Sequence, residues 1–550
     1  MQEEKIGCDV LCIGGGIAGL MAAIRASDMG AKVVLAEKSN TLRSGSGGMG
    51  NDHFQCYIPD VHGDFDLFWK ELFYGQIVGF LRTLDAEYIR FWFENSFDVV
   101  KLWDSWGIPM KYEGRYEFAG HGFPGKQLNH LKYSGMNQKP ILTKEAKKRG
   151  VNIVNRVMGV DIIKDKNDRV IGALGLSTRE DKVYVFEAGS VILCTGSCNR
   201  VYPSVTPGAD NNRAFPLTNS GDGRAMAYRA GAELKDLELV HRHAGPKYFS
   251  RCGQATWVGV LRDRKGNPVG PWASKPDKTY GDMATEVSKT IFEEYKKSGK
   301  GPVYMDMNGI SKEDLDYMVH WMKNEGNETI IKHIEEEGLD LDKSAVEFQT
   351  FEMQVDGGVR ANYKGETAVK GLYASGDDVS ATISHAAVFG WSAGENAAKY
   401  ASSEKVEDIE TARADIEAKK LFFNEIKTRG EGAEWQEALS ALQQIMFDYC
   451  GDVRSDVLLE TGSEIIGRLK NKARSSLKAG NPHELINCIQ VINQIDIGEL
   501  VLISAYDRRE TRALHFRPEY TFSDPLLGNK VHLIKQLDGD PVMEWIDIKQ

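Results

Sequence analysis

The sequence predicts an α/β fold, with a doubly wound and mainly parallel sheet, an inserted domain and a helical C-terminal part. Three segments predict it. Residues 9–39, DVLCIGGGIAGLMAAIRASDMGAKVVLAEKS, read as strand, glycine turn, helix, strand and acidic residue. SVILCTGS (190–197) and KGLYASGDD (370–378) are two further apolar strands, each stopped by a small residue and glycine. Strands that end this way let backbone approach a ligand at the carboxyl edge of a parallel sheet.

In the first unit Val10 to Ile13 form the strand. Gly14 permits the tight turn, Gly16 lets backbone approach a pyrophosphate, and Gly19 lets the helix pack closely on the strand. Ile17 and Ala18 open that helix, whose N-terminus offers unpaired N–H groups and a positive dipole end to phosphate. Glu37, beside Lys38, follows the second strand and is placed to accept hydrogen bonds from a ribose. A GxGxxG alone is weak evidence; the complete strand–turn–helix–strand–Glu unit is what specifies dinucleotide binding. The chain has one such unit and no second for a nicotinamide.

The remaining elements follow in order. Residues 247–348 form a long insertion between the second and third glycine-marked strands. It holds a hairpin-like WVGVLRDRKGNPVG and an amphipathic MATEVSKTIFEEYKKSG. After the third strand, residues 390–400 read as a helix whose start, with Ser392 and Ala393, aims N–H groups at an anionic ring edge. Residues 404–511 are helical by pattern, and the tail beyond is irregular or β-like. The expected division is 1–246 and 349–403 for a two-part dinucleotide domain, 247–348 for the insertion, 404–515 for the helical domain and 516–550 for the tail.

Bulk properties narrow the function. A chain of 550 residues, 42% hydrophobic and 27% charged, fits a globular protein of several domains. Its net charge of −11 argues against nucleic acid as a partner. No apolar run reaches membrane-spanning length and MQEEKIGCDV is not a signal peptide, so no membrane span and a cytoplasmic location are expected. The eight cysteines, Cys8, Cys12, Cys56, Cys194, Cys198, Cys252, Cys450 and Cys488, form no CxxC and no zinc or ferredoxin spacing. No metal site and no internal iron–sulfur cluster are expected.

The fingerprint, CTGS, NSGDGRAMAYRAGAELKDLELV (219–240), VYMDMNGIS (303–311) and GLYASGDD together resemble the FAD-dependent fumarate reductase/succinate dehydrogenase flavoprotein superfamily. The resemblance implies a Rossmann-like FAD-binding domain, an inserted capping domain that closes over the flavin, and FAD as cofactor. It places a ring loop at Arg43, Ser44, Gly45, Gly48, Met49 and Gly50. It places Val157 by the adenine, Thr195 and Gly196 at the second strand end, and Asn219, Asp222, Gly376 and Asp377 around the cofactor. The ring loop lacks the family's linking histidine, so noncovalent FAD is implied.

The family's dicarboxylate-binding set is largely replaced. Its proton-donating arginine falls on Ala284, a clamping histidine on Met353 and a clamping arginine on Val388. Only His243 matches a substrate histidine. Without these clamps a fumarate or succinate substrate is not expected. A nearer resemblance is to the flavoprotein subunit of dissimilatory adenylylsulfate reductases. It rests on Arg43-Ser44-Gly45, LWDSWGIPM and KYEGRYEFAGHG (102–122), DKVYVFEAGSVILCTG, His385, and Trp257 in the cap. An asparagine of that branch falls on Gln55, which implies an altered substrate.

Each candidate side chain has two readings. His241 and His243 alternate along a strand and share a face, with Arg242 between them. They polarise or protonate a substrate, or they hold the loop. His385 is a catalytic donor or a helix-cap partner. His53 and Gln55 line the substrate face, while His121 and His130 are loop residues. Trp257 stacks on a flat substrate or fills a core. His333 and Glu336 read as a solvated helix face. The expected function is two-electron reduction or oxidation of a small substrate at FAD, with electrons exchanged with an iron–sulfur or other redox protein. The alternatives are an adenylylsulfate reductase proper and a non-catalytic electron-transfer flavoprotein.

Overall fold

Strand β1 (Gln2–Ile13) starts exposed and ends buried, as its apolar last residues, Val10 to Ile13, require. The computed structural model describes residues 1–74, 85–120, 126–205, 213, 215–247, 257–269, 275–279, 291–380 and 382–548. Helix α1 (Ile17–Asp28) and strand β2 (Val33–Glu37) follow the glycine turn. β2 pairs parallel to β1, with Val10 opposite Val33. All of β2 is buried: it is flanked by β1 and β6 in the sheet, and α1 and β7 pack against it.

Next come β3 (His53–Gln55), α2 (Phe65–Leu72), α3 (Ala86–Trp106), β4 (Glu117–Phe118), β5 (His130–Lys132) and α4 (Gln138–Lys148). β3, β5 and β4 form a small antiparallel sheet. The main sheet continues with β6 (Asn152–Asn155), parallel to β2, and with β7 (Val157–Lys164), β8 (Val170–Ser177) and β9 (Lys182–Leu193). β9 runs parallel to β1, with Ile13 opposite Leu193, while β8 and β7 return antiparallel. Helix α5 (Asp222–Ala230) and the short strand β10 (Leu234–Lys235) complete this part.

The chain then leaves through β11 (Val240–His241) into an inserted unit. Its sheet has the order β12 (Ala244–Pro246), β15 (Ala345–Thr350), β14 (Val303–Asp306), β13 (Val260–Asp263). Helices α6 (Ile291–Lys297), α7 (Lys312–Asn324) and α8 (Glu328–Glu336) accompany it. The unit has its own apolar cluster, including Trp257, Met305, Met318, Met322, Ile331 and Phe348. The chain returns through β16 (Gln354–Val355), antiparallel to β11, so outgoing and incoming segments form one ribbon. β17 (Gly358–Val359) then pairs with β10.

Strand β18 (Leu372–Ala374) joins the main sheet parallel to β9, with Leu372 opposite Val191. Helix α9 (Ile383–Ser403) follows and packs along α1. The sequence reading, which started this helix at Gly390, is corrected by 7 residues of helix before it, Ile383 to Phe389. Gly390 and Gly394 mark a close helix approach instead. A Cβ there would lie 2.5 and 2.2 Å from the carbonyl oxygens of Ala18 and Ala22.

Helices α10 (Arg413–Thr428), α11 (Trp435–Tyr449), α12 (Asp456–Ser476) and α13 (Pro482–Asp507) form the helical part. Among the described residues, α13 alone is long and apolar enough to cross a bilayer, which the run-based sequence reading did not detect. Its most apolar window is 83% buried in the protein, as a core helix requires. The tail is an ordered hairpin, β19 (Lys530–Leu537) and β20 (Asp540–Asp547), with β19 pairing to β10.

β19 carries a fully buried histidine. His532 Nδ1 lies 3.5 Å from Glu238 Oε2 and its Nε2 lies 3.1 Å from Asp507 Oδ2. Burial alone would lower its pKa, but the two carboxylates, Glu238 foremost, raise it to about 9. Unfolded histidine titrates at about 6.5. The stability from this contact is therefore complete below about pH 6.5 and is lost as the pH rises through about 9. Thermal melts are expected to show a midpoint falling over this window, and His532→Gln is expected to flatten that dependence.

Candidate active site

The carboxyl ends of β1, β9 and β18 open on one cleft. The glycine turn shapes its floor. Gly14 adopts φ +101°, and a Cβ there would lie 2.2 Å from the Cys194 carbonyl oxygen. A Cβ at Gly19 would lie 1.8 Å from the Gly14 carbonyl oxygen, so only glycine lets α1 sit on the turn. Gly16 differs: a Cβ there meets nothing within 4 Å. Gly45, at φ +73°, faces it, with Gly16 Cα 3.6 Å from its would-be Cβ. These two glycines leave open space inside the cleft.

Polar groups are fixed around that space. Glu37 Oε2 accepts from Gly15 N–H at 2.6 Å and its Oε1 from Ser39 N–H at 2.7 Å. Lys38 Nζ donates to Thr218 O (2.6 Å), Asp222 Oδ2 (2.8 Å) and Ser220 Oγ (3.0 Å). Burial would raise the Asp222 pKa, but the Lys38 charge and hydrogen bonds from Lys38, Asn493 and Ser220 hold it below the usual carboxylate value. Asn219 Nδ2 donates to Ser46 Oγ of the ring loop at 3.1 Å. Thr195, at the end of β9, donates through N–H and Oγ1 to Asp378, beyond β18. This joins the second and third glycine-marked strand ends. Burial lifts Asp377 to about 6 against the Arg224 charge, and Asp378 to about 7 against the Thr195 N–H.

Of the residues read from sequence, Gly14, Gly16, Ile17, Ala18, Glu37, Lys38, Gly45, Val157, Thr195, Gly196, Asn219, Asp222, Gly376 and Asp377 line the cleft. The others do not. Gly19 and Gly48 serve backbone packing, Gly48 with a would-be Cβ 2.1 Å from Arg43 O. Arg43 donates to Met136 O and Asn137 Oδ1, and the Ser44 hydroxyl is buried without a partner. Met49 is half-exposed, and Gly50 packs on Asn324 O of the inserted unit. Ser392 and Ala393 are corrected outright. They lie deep in α9, where Ser392 Oγ donates to Tyr363 O and Ala393 packs on Gly365. The helix residues that do reach the cleft are Ile383 and Ala386, in its first turn. Ser46 and Gly47, inside the Gly45–Gly50 stretch of the ring loop, also line the cleft, and sequence reading missed Met158 and Thr218.

The histidines divide. His241 and His243 point together, Nε2 to Nε2 at 3.1 Å, and His241 Nδ1 lies 2.5 Å from Asp356 Oδ1. The strand alternation that puts them on one face sends Arg242 the other way, to Asp452 Oδ1 at 2.7 Å. Arg242 is thus corrected from a catalytic to a domain-joining group. His243 stands between β11 and β12, edge-on to Phe215, and the His241 charge reaches Asp377 in the cleft.

His385 is also corrected as an acid. It is buried among Tyr88, Trp92 and Phe389, and Nε2 lies 2.8 Å from the Tyr88 hydroxyl. Burial pushes its pKa down to about 3, aided by the Lys235 charge, so the ring is neutral at neutral pH. His53 Nδ1 pairs with buried Asp52 (2.7 Å), which also holds Lys132 (2.8 Å). The Gln55 carbonyl accepts from Ser384 Oγ. Neither His53 nor Gln55 lines the cleft. Trp257 is buried edge-on against Phe348 and fills the inserted unit's core. His121 and Ala284 lie outside the described residues.

Cysteine chemistry is muted. Burial pushes Cys8, Cys198 and Cys488 up to about 12, which leaves these thiols unreactive.

Fold and cleft define a dinucleotide-binding protein, and the family matches make it a flavoprotein oxidoreductase. The FAD binding domain family matches residues 9–390, and the fumarate reductase flavoprotein C-terminal family matches residues 439–548. The chain belongs to the FAD-binding fumarate reductase/succinate dehydrogenase flavoprotein superfamily, and FAD is its cofactor. Similar proteins include one of the fumarate reductase (CoM/CoB) subunits of Methanothermobacter marburgensis, 25% identical, with 98% of this chain and 99% of that protein covered. Another is the L-aspartate oxidase of Vibrio cholerae, 24% identical, with 93% of this chain and 96% of that protein covered. Two solved structures share the fold. Archaeoglobus fulgidus adenylylsulfate reductase gives a TM-score of 0.82 at 22% identity, covering 100% of this chain and 97% of that one. E. coli quinol fumarate reductase gives 0.84 at 20%, covering 100% and 98%.

The residues present fit FAD. The open faces of Gly16 and Gly45 admit a ligand against backbone, and Glu37 ends β2 where a ribose is received. FAD supplies two-electron chemistry toward a substrate and one-electron exchange with a protein.

Proposed function

We propose that the reaction is two-electron reduction or oxidation of a small substrate bound between the cleft and the inserted cap. Electrons are exchanged with an iron–sulfur or other redox protein. The proposed division keeps residues 247–348 as cap, between FAD-domain parts 1–246 and 349–403. The proposed helical domain is 404–515 and the tail 516–550.

The observation that carries this reading is the Asp356–His241–His243 chain, whose His241 lies within electrostatic reach of Asp377 in the cleft. Asp356 Oδ1 contacts His241 Nδ1, which leaves His241 Nε2 directed at His243. His241 Nε2 then passes a proton to His243 Nε2, and His243 delivers one to the substrate or polarises it. The same dyad, run backwards, takes a proton from a substrate being oxidised.

Two buried apolar residues support a substrate other than a dicarboxylate. Met353 and Val388 occupy the clamp positions and belong to the core. The finer placement we propose is next to the adenylylsulfate reductase flavoproteins, on Arg43-Ser44-Gly45 and the 102–122 text. With Trp257 inside the cap core, no stacking platform for a nucleotide comes from that residue. The proposed substrate is therefore not adenylylsulfate.

The electron route is tested with the anaerobic holoenzyme. A one-electron donor, reduced methyl viologen or a reduced ferredoxin, is expected to bleach the oxidised flavin band. NADH and NADPH are expected to leave it intact, because one dinucleotide fingerprint is present. Fast bleaching by a nicotinamide contradicts the partner route.

A further inference from the structure

We propose that Lys139 belongs to the cofactor site: its ammonium, seated on the Gly15 carbonyl inside the glycine turn, supplies positive charge to the FAD pyrophosphate, and FAD binding draws a proton onto it. Lys139 is the second residue of α4 and is fully buried. α4 packs against α1 and the ring loop. Lys139 Nζ donates to Gly15 O, while Gly15 N–H donates to Glu37 Oε2 at 2.6 Å. Gly15 is thus held at both its N–H and its carbonyl; its neighbours Gly14 and Gly16 line the cleft, while Gly15 and Lys139 themselves do not. That turn is where a dinucleotide's phosphates are received.

A fully buried lysine is rare unless it is paired. Among the described residues no carboxylate lies within ion-pair distance of this one. Glu37 faces it from β2, but both Glu37 oxygens are bonded to backbone N–H groups. The other charges of the elements packed around it are committed elsewhere. On α1, Arg25 pairs with Glu395 and Asp28 with Arg149. On the ring loop, Arg43 holds Met136 O and Asn137. On α4 itself, Glu145 pairs with Arg149. Glu37 is thus the one carboxylate whose charge bears on this ammonium among the described residues, and it makes no direct pair with it; a pyrophosphate would bring a further counter-charge. Burial pushes Lys139 down to about 8, with the Glu37 charge opposing.

The linkage has a definite sign. Without FAD, Lys139 gives up its proton as the pH rises past about 8. A bound pyrophosphate restores a value near an ordinary lysine's, about 10.4. Binding above pH 8 must then take up a proton. FAD affinity is expected to be flat below pH 7.5 and to weaken by about 50-fold between pH 7 and pH 10.

Two measurements test this. FAD release from the diluted holoenzyme, read by free-flavin fluorescence across pH, gives the affinity profile. Calorimetric rebinding of FAD to the full deflavinated chain at pH 9, in buffers of different ionisation enthalpy, gives the proton count. About 0.9 proton taken up per FAD is expected. Lys139→Met is expected to flatten the pH profile, abolish the uptake and weaken binding at pH 7 by about 10- to 100-fold. Wild-type binding with no proton uptake and a flat profile overturns the proposal without any variant. So does a Lys139→Met protein that keeps the uptake.

Discussion

His243→Ala is expected to slow substrate turnover by about 10²- to 10³-fold, the usual effect of removing a positioned proton donor. FAD content and the oxidised flavin spectrum are expected to stay unchanged, because His243 does not line the cofactor cleft. Asp356→Asn should show a smaller loss together with a shifted pH profile, since Asp356 acts through His241. Reduction of the flavin by a one-electron donor should be untouched in both variants. A His243→Ala enzyme within about threefold of wild type would remove the dyad from the mechanism. Arg242→Ala is the control. It breaks the contact with Asp452 and is expected to lower thermal stability, with turnover per folded molecule largely kept.

The second large effect separates two glycines of one motif. At Gly16 a Cβ meets no protein atom, so Gly16→Val should leave the apoprotein's melting temperature near wild type. The added side chain occupies the space kept for the cofactor, and FAD affinity should fall by about 100-fold or more, some 2.7 kcal/mol. Gly19→Val is different. Its Cβ would lie 1.8 Å from the Gly14 carbonyl oxygen, a backbone atom that cannot step aside cheaply. Overpacking here is expected to cost about 3 kcal/mol or more, so the variant loses both stability and FAD. Melting curves of the deflavinated proteins, with FAD titrations, distinguish the two. Equal destabilisation by both substitutions would contradict the assignment of Gly16 to the ligand face.

What the sequence revealed is what neighbouring residues determine. The glycine turn, Glu37 and the strand ends at Thr195 and Gly376 were legible because each is a short local pattern with one physical reason. The shared direction of His241 and His243 was legible from strand alternation alone. The start of α9 was not. Gly390 and Gly394 look like a helix terminus, yet their purpose is contact with Ala18 and Ala22 of another helix. The true start carries Thr382, whose side chain accepts from His385 N–H, with no flanking glycine to announce it. Of the two readings of His385, the helix-cap one accords with its N–H bond to Thr382, while its enclosure by Tyr88 and Trp92 of α3 was not legible in the sequence. Trp257 could be read as platform or core until the inserted unit's packing was known. Lys139 carries no motif at all. Only the fold brings it to Gly15.

The most direct measurement of the central claim is anaerobic. The bound flavin is photoreduced, and its oxidised band is followed while fumarate, other unsaturated acids and their thioesters, and adenylylsulfate are added one at a time. Oxidised enzyme receives sulfite with AMP as a separate test. Prompt reoxidation by an alkene-type acceptor other than fumarate, lost in His243→Ala, is the predicted result. Reoxidation by adenylylsulfate, or bleaching only by sulfite, would contradict the proposed substrate class. Silence toward every acceptor would favour an electron-transfer flavoprotein or a substrate outside this panel.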